Sequence, residues 1–333
     1  MPTIRTERAR VLWGPEAVFG MQSSGPYRRF GIHDTINAPD PEYAWEPFFG
    51  VFSPRSRATI LRGRVTYRGS IPDIRLQSDN LSFIKDGFIL GDKNTTLLRP
   101  FTLFIDYADT TGSRHLKRYY LGGKVNRFSL AANEGQELRL NIEEMLFLRL
   151  VDLRAGNDPG GQGFGDPAAD PGPTAAGRFM FAHGKVTLFG LEFPRVRRFV
   201  LSGDHQIEPR YYILRDNTTM RLNPNDLIEG KRVYRLEVDM DIVDPQELEL
   251  WDFFANQGAS GPASPTVGGI CKLEFNQTGS GEGVAQLTIQ AGVNPSAVKP
   301  ASVIVSAPHN IPAPPAGVVT VTATFDVDDV IIS

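Results

Sequence analysis

Twice this chain carries the pattern Gly-x-x-x-Tyr-Arg in a strand-like stretch, and that repeat limits its possible folds more than any other feature. The first copy reads Ile60-Leu61-Arg62-Gly63-Arg64-Val65-Thr66-Tyr67-Arg68, the second Leu227-Ile228-Glu229-Gly230-Lys231-Arg232-Val233-Tyr234-Arg235. An apolar residue stands three before each Gly, and a helix start signal follows about a dozen residues beyond each Tyr. The same order of elements after the same motif reads as an internal duplication, one supersecondary unit used twice.

The flanking patterns are those of strands. Tyr234, Leu236, Val238, Met240 and Ile242 alternate with Arg235, Glu237, Asp239 and Asp241, the clearest period-2 signal in the chain. Val319 to Asp326 alternates likewise, and Leu138, Leu140 and Ile142 do so against Arg139, Asn141 and Glu143. Further strands are predicted at 101–107, 116–121, 125–130, 179–189, 196–201, 210–214, 270–275, 284–289 and 303–305. Two helices interrupt them. In the first, Ser78-Asp79 offers the N-cap, Leu81, Ile84 and Phe88 follow at helical spacing, and Gly87 or Gly91 ends it. In the second, Asp244-Pro245-Gln246-Glu247 is a capping box with Pro at the first helical position, and Leu248, Trp251 and Ala255 share a face that Gly258 closes.

These elements predict a mainly β protein of two β-sandwich or barrel modules, each with a short flanking α-helix. Its 333 residues suit two domains. Residues 1–58 form an N-terminal arm whose aromatics (Trp13, Phe30, Trp45, Phe48, Phe49) need burial against their own domain or a neighbour. Residues 59–154 are the first module and 178–333 the second. The stretch 155–177 between them, nearly all Gly, Pro, Asp and Ala, is a linker or exposed loop.

The search for chemistry finds little. His33, His115, His183, His205 and His309 are scattered, with no HExxH and no paired ligand spacing, and read as surface or packing residues. Gly160 to Gly165 is glycine-rich but joins no strand to a helix; Gly279 to Gly283 suits a hairpin turn. Asp239-x-Asp241 and Asp326-x-Asp328-Asp329 lack the loop glycine and distant glutamate of a calcium loop and read as solvated strand faces. The lone Cys271 excludes an internal disulfide, reads as a packed thiol and suits a reducing compartment. No apolar run is long enough to span a bilayer, and the N-terminus lacks the apolar stretch of a secretory signal. A soluble protein without enzymatic activity, cofactor or metal is expected.

The net charge of −3 divides unevenly: residues 1–150 carry 21 Lys+Arg against 16 Asp+Glu, or +5, and residues 151–333 carry 14 against 22, or −8. Two readings stand, drift between two solvated surfaces, or docking of one half against the other half of a neighbouring subunit.

Several stretches resemble the tail tube (major tail) proteins of long-tailed bacteriophages. They are Val11 to Gly20, Arg118 to Leu130 followed by Glu134-Gly135-Gln136-Glu137-Leu138, Thr187-Leu188-Phe189-Gly190 through Arg197 to Leu201, Glu229 to Tyr234, and Thr322 to Asp326. The resemblance implies a β-barrel or sandwich with a helix on its flank, assembled into stacked rings whose inner wall is a continuous β-barrel through which DNA leaves the capsid. It also implies the partners: copies of the chain itself, a tape measure protein and a tail terminator, in the tail of a virion assembled in the host cytoplasm. The family's simplest pattern is a hexameric ring of single tube domains. Two modules per chain favour a trimer with pseudo-sixfold symmetry, with the hexamer as alternative.

A conduit must not hold its cargo. Duplex DNA presents one charge per ~1.7 Å, so a basic lining would trap it and an acidic or neutral one lets it slide without specific binding. The face carrying Glu237, Asp239 and Asp241 is therefore the candidate lumen wall, beside the plainer reading of a solvated strand face. Two other functional classes remain open: a β-sandwich baseplate or fibre component that binds a host surface, and a carbohydrate-active enzyme.

Overall fold

The computed structural model describes residues 9–33, 35–48, 59–90, 97–108, 115–154, 177–212, 223–243, 247–248, 269–278, 286–292, 302–306 and 319–333. Within them the protein is mainly β. The N-terminal part supplies β1 (Arg10–Pro15), β2 (Arg28–Arg29), β3 (Pro41–Phe48) and β4 (Thr59–Arg75), then α1 (Leu81–Lys85). The strands β5 (Phe101–Ala108), β6 (His115–Asn133), β7 (Arg139–Phe147) and β8 (Arg149–Arg154) follow. The C-terminal part holds β9 (Arg178–Leu188), β10 (Leu191–Glu192), β11 (Val196–Asp204), β12 (Glu208–Arg210), β13 (Asp226–Ile228) and β14 (Val233–Ile242). It ends with β15 (Cys271–Thr278), β16 (Gln286–Ala291), β17 (Ser302–Ser306), β18 (Val319–Val327) and β19 (Val330–Ile332).

The strands expected at 116–121 and 125–130 are one 19-residue strand, β6. Gly122-Gly123 reads as a break in the sequence, yet pairing continues through it with Gly122 at φ +67°. A residue there can bend a strand without ending it because glycine carries no Cβ. Before the bend β6 pairs with β5 and β8; after it, with β7 and β11. The strand thus passes from one layer of a sandwich into the other.

Beyond the bend, eight strands form an antiparallel run in the order β3-β4-β7-β6-β11-β14-β18-β17. This run crosses from the N-terminal part to the C-terminal part through direct β6–β11 pairing, Leu130 opposite Leu201 and Ala132 opposite Phe199. The segment 155–177 therefore divides the sequence but not the sheet; of it, 155–176 lie outside the described residues.

The two quartets of the run correspond in strand order and at particular positions, although β4–β7 pairing slips twice where β14–β18 pairing runs without a slip. Tyr67 in β4 lies opposite Pro41 of β3 and Phe147 of β7. Tyr234 in β14 lies opposite Gly203 of β11 and Val327 of β18. Pairing of β6 with β7 slips between Val125 and Arg127, which face Met145 and Glu144. Pairing of β17 with β18 slips between Ile304 and Ser306, which face Phe325 and Thr324. Met145 and Phe325 each stand two residues before the partner of the motif tyrosine.

One face of the six inner strands is apolar: Ile74, Leu140, Leu130, Leu201, Leu236 and Phe325 are all buried. Two smaller layers cover it. Over the N-terminal quartet lie β2-β1-β5, the first half of β6, and α1. Trp13 of β1 packs edge-on against Phe83 of α1 at 5.0 Å and Phe88 at 4.9 Å, and Phe83 meets Phe101 at 5.4 Å. Trp13 and Phe30 of the arm are thus built into their own chain; Phe49 and the side chains of Trp45 and Phe48 lie outside the described residues. Over the C-terminal quartet lies a second sheet, β10-β9-β15-β16-β19, with Phe275 against Phe199 at 5.4 Å. Cys271 is fully buried there, as a packed thiol.

The helix cap differs from expectation. Asn80, not Ser78 or Asp79, occupies the N-cap, and its side chain does not cap α1. It is spent on tertiary contacts: its amide donates to the carbonyls of Phe30 (3.0 Å) and Arg75 (2.8 Å), and its Oδ1 accepts from Gln77 N–H (3.0 Å). α1 ends at Lys85 with Asp86 as C-cap and Gly87 following at φ +90°, the first of the two expected ends, so that Phe88 lies beyond the helix. Of the second helix, residues 247–248 are helical and the rest lies outside the described residues. Glu247 accepts from Val243 N–H at 2.8 Å, four residues back rather than the three of the expected capping box, whose Asp244 lies outside the described residues.

Candidate functional site

The eight-strand run carries an organised polar face on the side opposite its apolar one. Alternation places Glu237, Asp239 and Asp241 there, half-buried, with Leu236, Val238 and Met240 pointing the other way. Cross-strand register then fixes their neighbours. Asp239 lies between Arg198 of β11 and Thr322 of β18; Asp241 faces Thr320, and Glu237 lies between Val200 and Thr324. Arg198 bonds Asp239 at 3.2 Å, and Thr322 Oγ1 donates to the same carboxylate at 2.7 Å. Arg197 stands 3.6 Å from Asp241, which also accepts from Thr320 Oγ1 at 2.7 Å. The acidic stripe is thus largely neutralised by β11.

The same interleaving continues across the run. Arg235 pairs with Asp326 at 3.6 Å, Arg127 and Arg68 share Glu144 at 3.3 and 3.5 Å, and Arg139 holds Asp73 at 2.7 Å. The face is mixed and close to balanced rather than acidic. The sequence pointed to the carboxylates but not to their arginine partners, which stand some forty residues away and meet them only through pairing register.

The seam where the quartets join is built from groups that sequence reading left as packing or passed over. The bulge in β6 is Asn126, whose carbonyl accepts from His205 N–H (2.9 Å) and whose Oδ1 accepts from Ile207 N–H (2.7 Å). His205 is fully buried. Its Nδ1 lies 2.8 Å from the Val125 carbonyl, which only accepts, so Nδ1 carries the proton and Nε2 accepts from Tyr234 O–H at 3.3 Å. Burial pushes the imidazole down to about 4, against the pull of the Val125 bond and nearby Glu229, and pushes the Tyr234 phenol up to about 12.

Beside it, Glu229 accepts from Lys124 Nζ (2.9 Å), Arg232 Nη2 (3.0 Å) and Leu98 N–H (3.1 Å). Burial works to raise its carboxyl, and the Lys124 and Arg232 bonds overcome that and hold it below the ordinary range. Tyr67 completes the seam from the other side, donating to Asn223 Oδ1 at 2.8 Å, and Tyr211 donates to the Val65 carbonyl at 2.8 Å. The Tyr-Arg pairs therefore have a common anatomy. Each Tyr is buried with its hydroxyl bonded, Tyr67 to Asn223 and Tyr234 to His205, and each Arg is exposed and pairs with carboxylates of the polar face.

The bend in β6 has its own lock. Glu16, 7% exposed, accepts from Gly122 N–H, Gly20 N–H and Thr102 O–H, each at 2.8 Å. Burial raises this carboxyl to about 6 although all three bonds and Arg149 favour its ionised form.

Among the described residues no group of three or more His, Cys, Asp or Glu is placed to hold a metal ion, and no helix is long and apolar enough to cross a membrane. His309, Gly160 to Gly165 and Gly279 to Gly283 lie outside the described residues. In sequence comparison, no known protein family and no curated protein matches the chain.

Proposed function

We propose that this chain is the building block of a hollow tube, the tail tube of a long-tailed bacteriophage, with three copies closing each ring. The observation that carries the reading is the eight-strand run of two matching quartets, each with the Tyr-Arg strand second and a bulged strand last. We take the quartets as two copies of one module. Three chains then supply six modules and, by arithmetic, 3 × 8 = 24 strands. At ~4.8 Å between strands the wall is roughly 115 Å around, about 37 Å across for upright strands and about 48 Å for strands tilted ~40°. Either bore admits one DNA duplex after side chains are allowed for.

The faces suit that role. The apolar face is covered within the chain by two further layers, leaving the polar face for the lumen. Its balanced Arg and Asp/Glu pairs supply little net field to hold a polyanion, since paired charges have few free cations to exchange for DNA counterions. Glu237, Asp239 and Asp241 line the lumen in this reading, DNA passes without specific binding, and tape measure and terminator proteins are the further partners that the resemblance implies.

Negative-stain microscopy of the purified protein tests it. Stacked rings or hollow tubes are expected; monomers that stay monodisperse on concentration and heating refute it and return the fold to a host-binding baseplate or fibre component. The lumen assignment has a separate test. Glu237→Lys leaves the Asp239 and Asp241 pairs intact while making every ring more positive, so tubes should assemble and genome ejection should slow. Unchanged ejection refutes the assignment.

A further inference from the structure

The seam between the quartets is a strand junction within one chain, and the open edges of the run have the parts to repeat it between chains. β6 is the last strand of its quartet and β11 the first of the next, and they pair with Arg127 opposite Asp204. Arg127 is the paired residue that follows the β6–β7 slip at Val125, and a second slip separates it from Phe128. Asp204 lies opposite Val233, immediately before Tyr234.

The outer edges offer the same positions. β17 is the last strand of its quartet, and Ser306 is the first paired residue beyond the β17–β18 slip. β3 is the first strand of its quartet, and Glu42 lies opposite Thr66, immediately before Tyr67. Among the described residues β17 pairs only with β18 and β3 only with β4. The Glu42 side chain is 64% exposed.

We propose that β17 of one copy pairs antiparallel with β3 of the next copy, Ser306 opposite Glu42, repeating the β6–β11 junction around the ring. This rests on the ring reading above and names the surface that closes it. A last-to-first contact is heterologous, so it closes only when its rotation divides the circle. Because it repeats a junction already present inside the chain, each chain contributes one junction within itself and one to its neighbour. Pairing also removes two strand edges that would otherwise recruit other chains.

Cross-linking tests the register. Opposed residues in an antiparallel pair have Cα atoms ~4.5 or ~5.5 Å apart, both within disulfide reach. Cys271 is fully buried and does not compete. Single variants Glu42→Cys and Ser306→Cys, mixed, assembled and oxidised, should give a covalent dimer that neither gives alone, and the double variant should give covalent species up to a trimer. Tubes that form without the cross-link overturn the junction while leaving the conduit standing. A wild-type protein that never assembles overturns the ring reading and the junction with it. Hydrogen exchange on unmodified protein covers the case of variants that fail to fold. The amides of 41–44 and 302–306 should gain protection in tubes over free subunits, and unchanged exchange at both strands overturns the proposal.

Discussion

The buried imidazole at the seam makes stability depend on pH in a way one substitution isolates. His205 is neutral in the folded chain, donating to Val125 and accepting from Tyr234, and its ring packs 5.9 Å from both Phe128 and Tyr234. Its pKa falls from 6.5 to about 4 on folding, chiefly through burial. The unfolded chain therefore binds the extra proton first as pH falls. The contribution of His205 is complete above pH 6.5 and is lost as pH drops through 4. At ~1.4 kcal/mol per pH unit across that window, the loss is roughly 3 kcal/mol.

His205→Gln removes the titration. At pH 7 the variant should be less stable by roughly 2 kcal/mol, from lost ring packing and an imperfect replacement of the two hydrogen bonds. Between pH 7 and pH 4 that deficit should close and then reverse, because only the wild type must protonate a buried ring. Urea denaturation of disassembled subunits at pH 7, 6, 5 and 4 measures it, since titrations common to both proteins cancel in the difference. A deficit that stays constant across the series refutes the claim that His205 is buried and neutral at the seam.

Glu16 should act with the opposite sign. Its carboxyl is raised from 4.5 to about 6, so its favourable contribution is complete below pH 4.5 and is lost as pH rises through 6. The wild type's advantage over Glu16→Gln should therefore shrink by about 2 kcal/mol from pH 4.5 to pH 7 in the same denaturation series, and an advantage that grows instead contradicts it. At Gly203, an added Cβ would stand 2.3 Å from Phe128 Cε1 and 3.0 Å from Tyr234 Cδ1, so Gly203→Ala should cost about 1–3 kcal/mol by overpacking. Gly25→Ala meets nothing closer than 3.6 Å and serves as the control; equal melting points for the two variants would show that the seam is not tightly packed.

Period-2 alternation made most strands legible. β14 was readable from Tyr234 onward because its inward positions are all apolar and its outward ones, Arg235, Glu237, Asp239 and Asp241, all charged. What the sequence hid was set by tertiary contact. The continuity of β6 depends on Gly122 being held at its bend by Glu16, a partner more than a hundred residues away. Asn80 looks like an ordinary helix-neighbouring polar residue until Phe30 and Arg75 are brought to it.

The candidate site divides in the same manner. Glu237, Asp239 and Asp241 were visible as one face of one strand, but the charge of that face depends on Arg197 and Arg198 from the neighbouring strand. The seam was almost wholly illegible, since a lone His205 and a lone Asn126 carry no signal until a bulge places them together. The motif tyrosines were the one visible trace of it. Their repeated position marked the strand on which each quartet is ordered.

The central claim is that six modules from three chains close one wall. Image averaging of assembled rings by electron cryomicroscopy tests it most directly. The account predicts three subunits per ring and an inner wall of 24 strands, with β3-β4-β7-β6-β11-β14-β18-β17 repeated three times and the polar face inward. Six subunits per ring, or a lumen wall built from the β9–β15–β16 sheet instead, would contradict it.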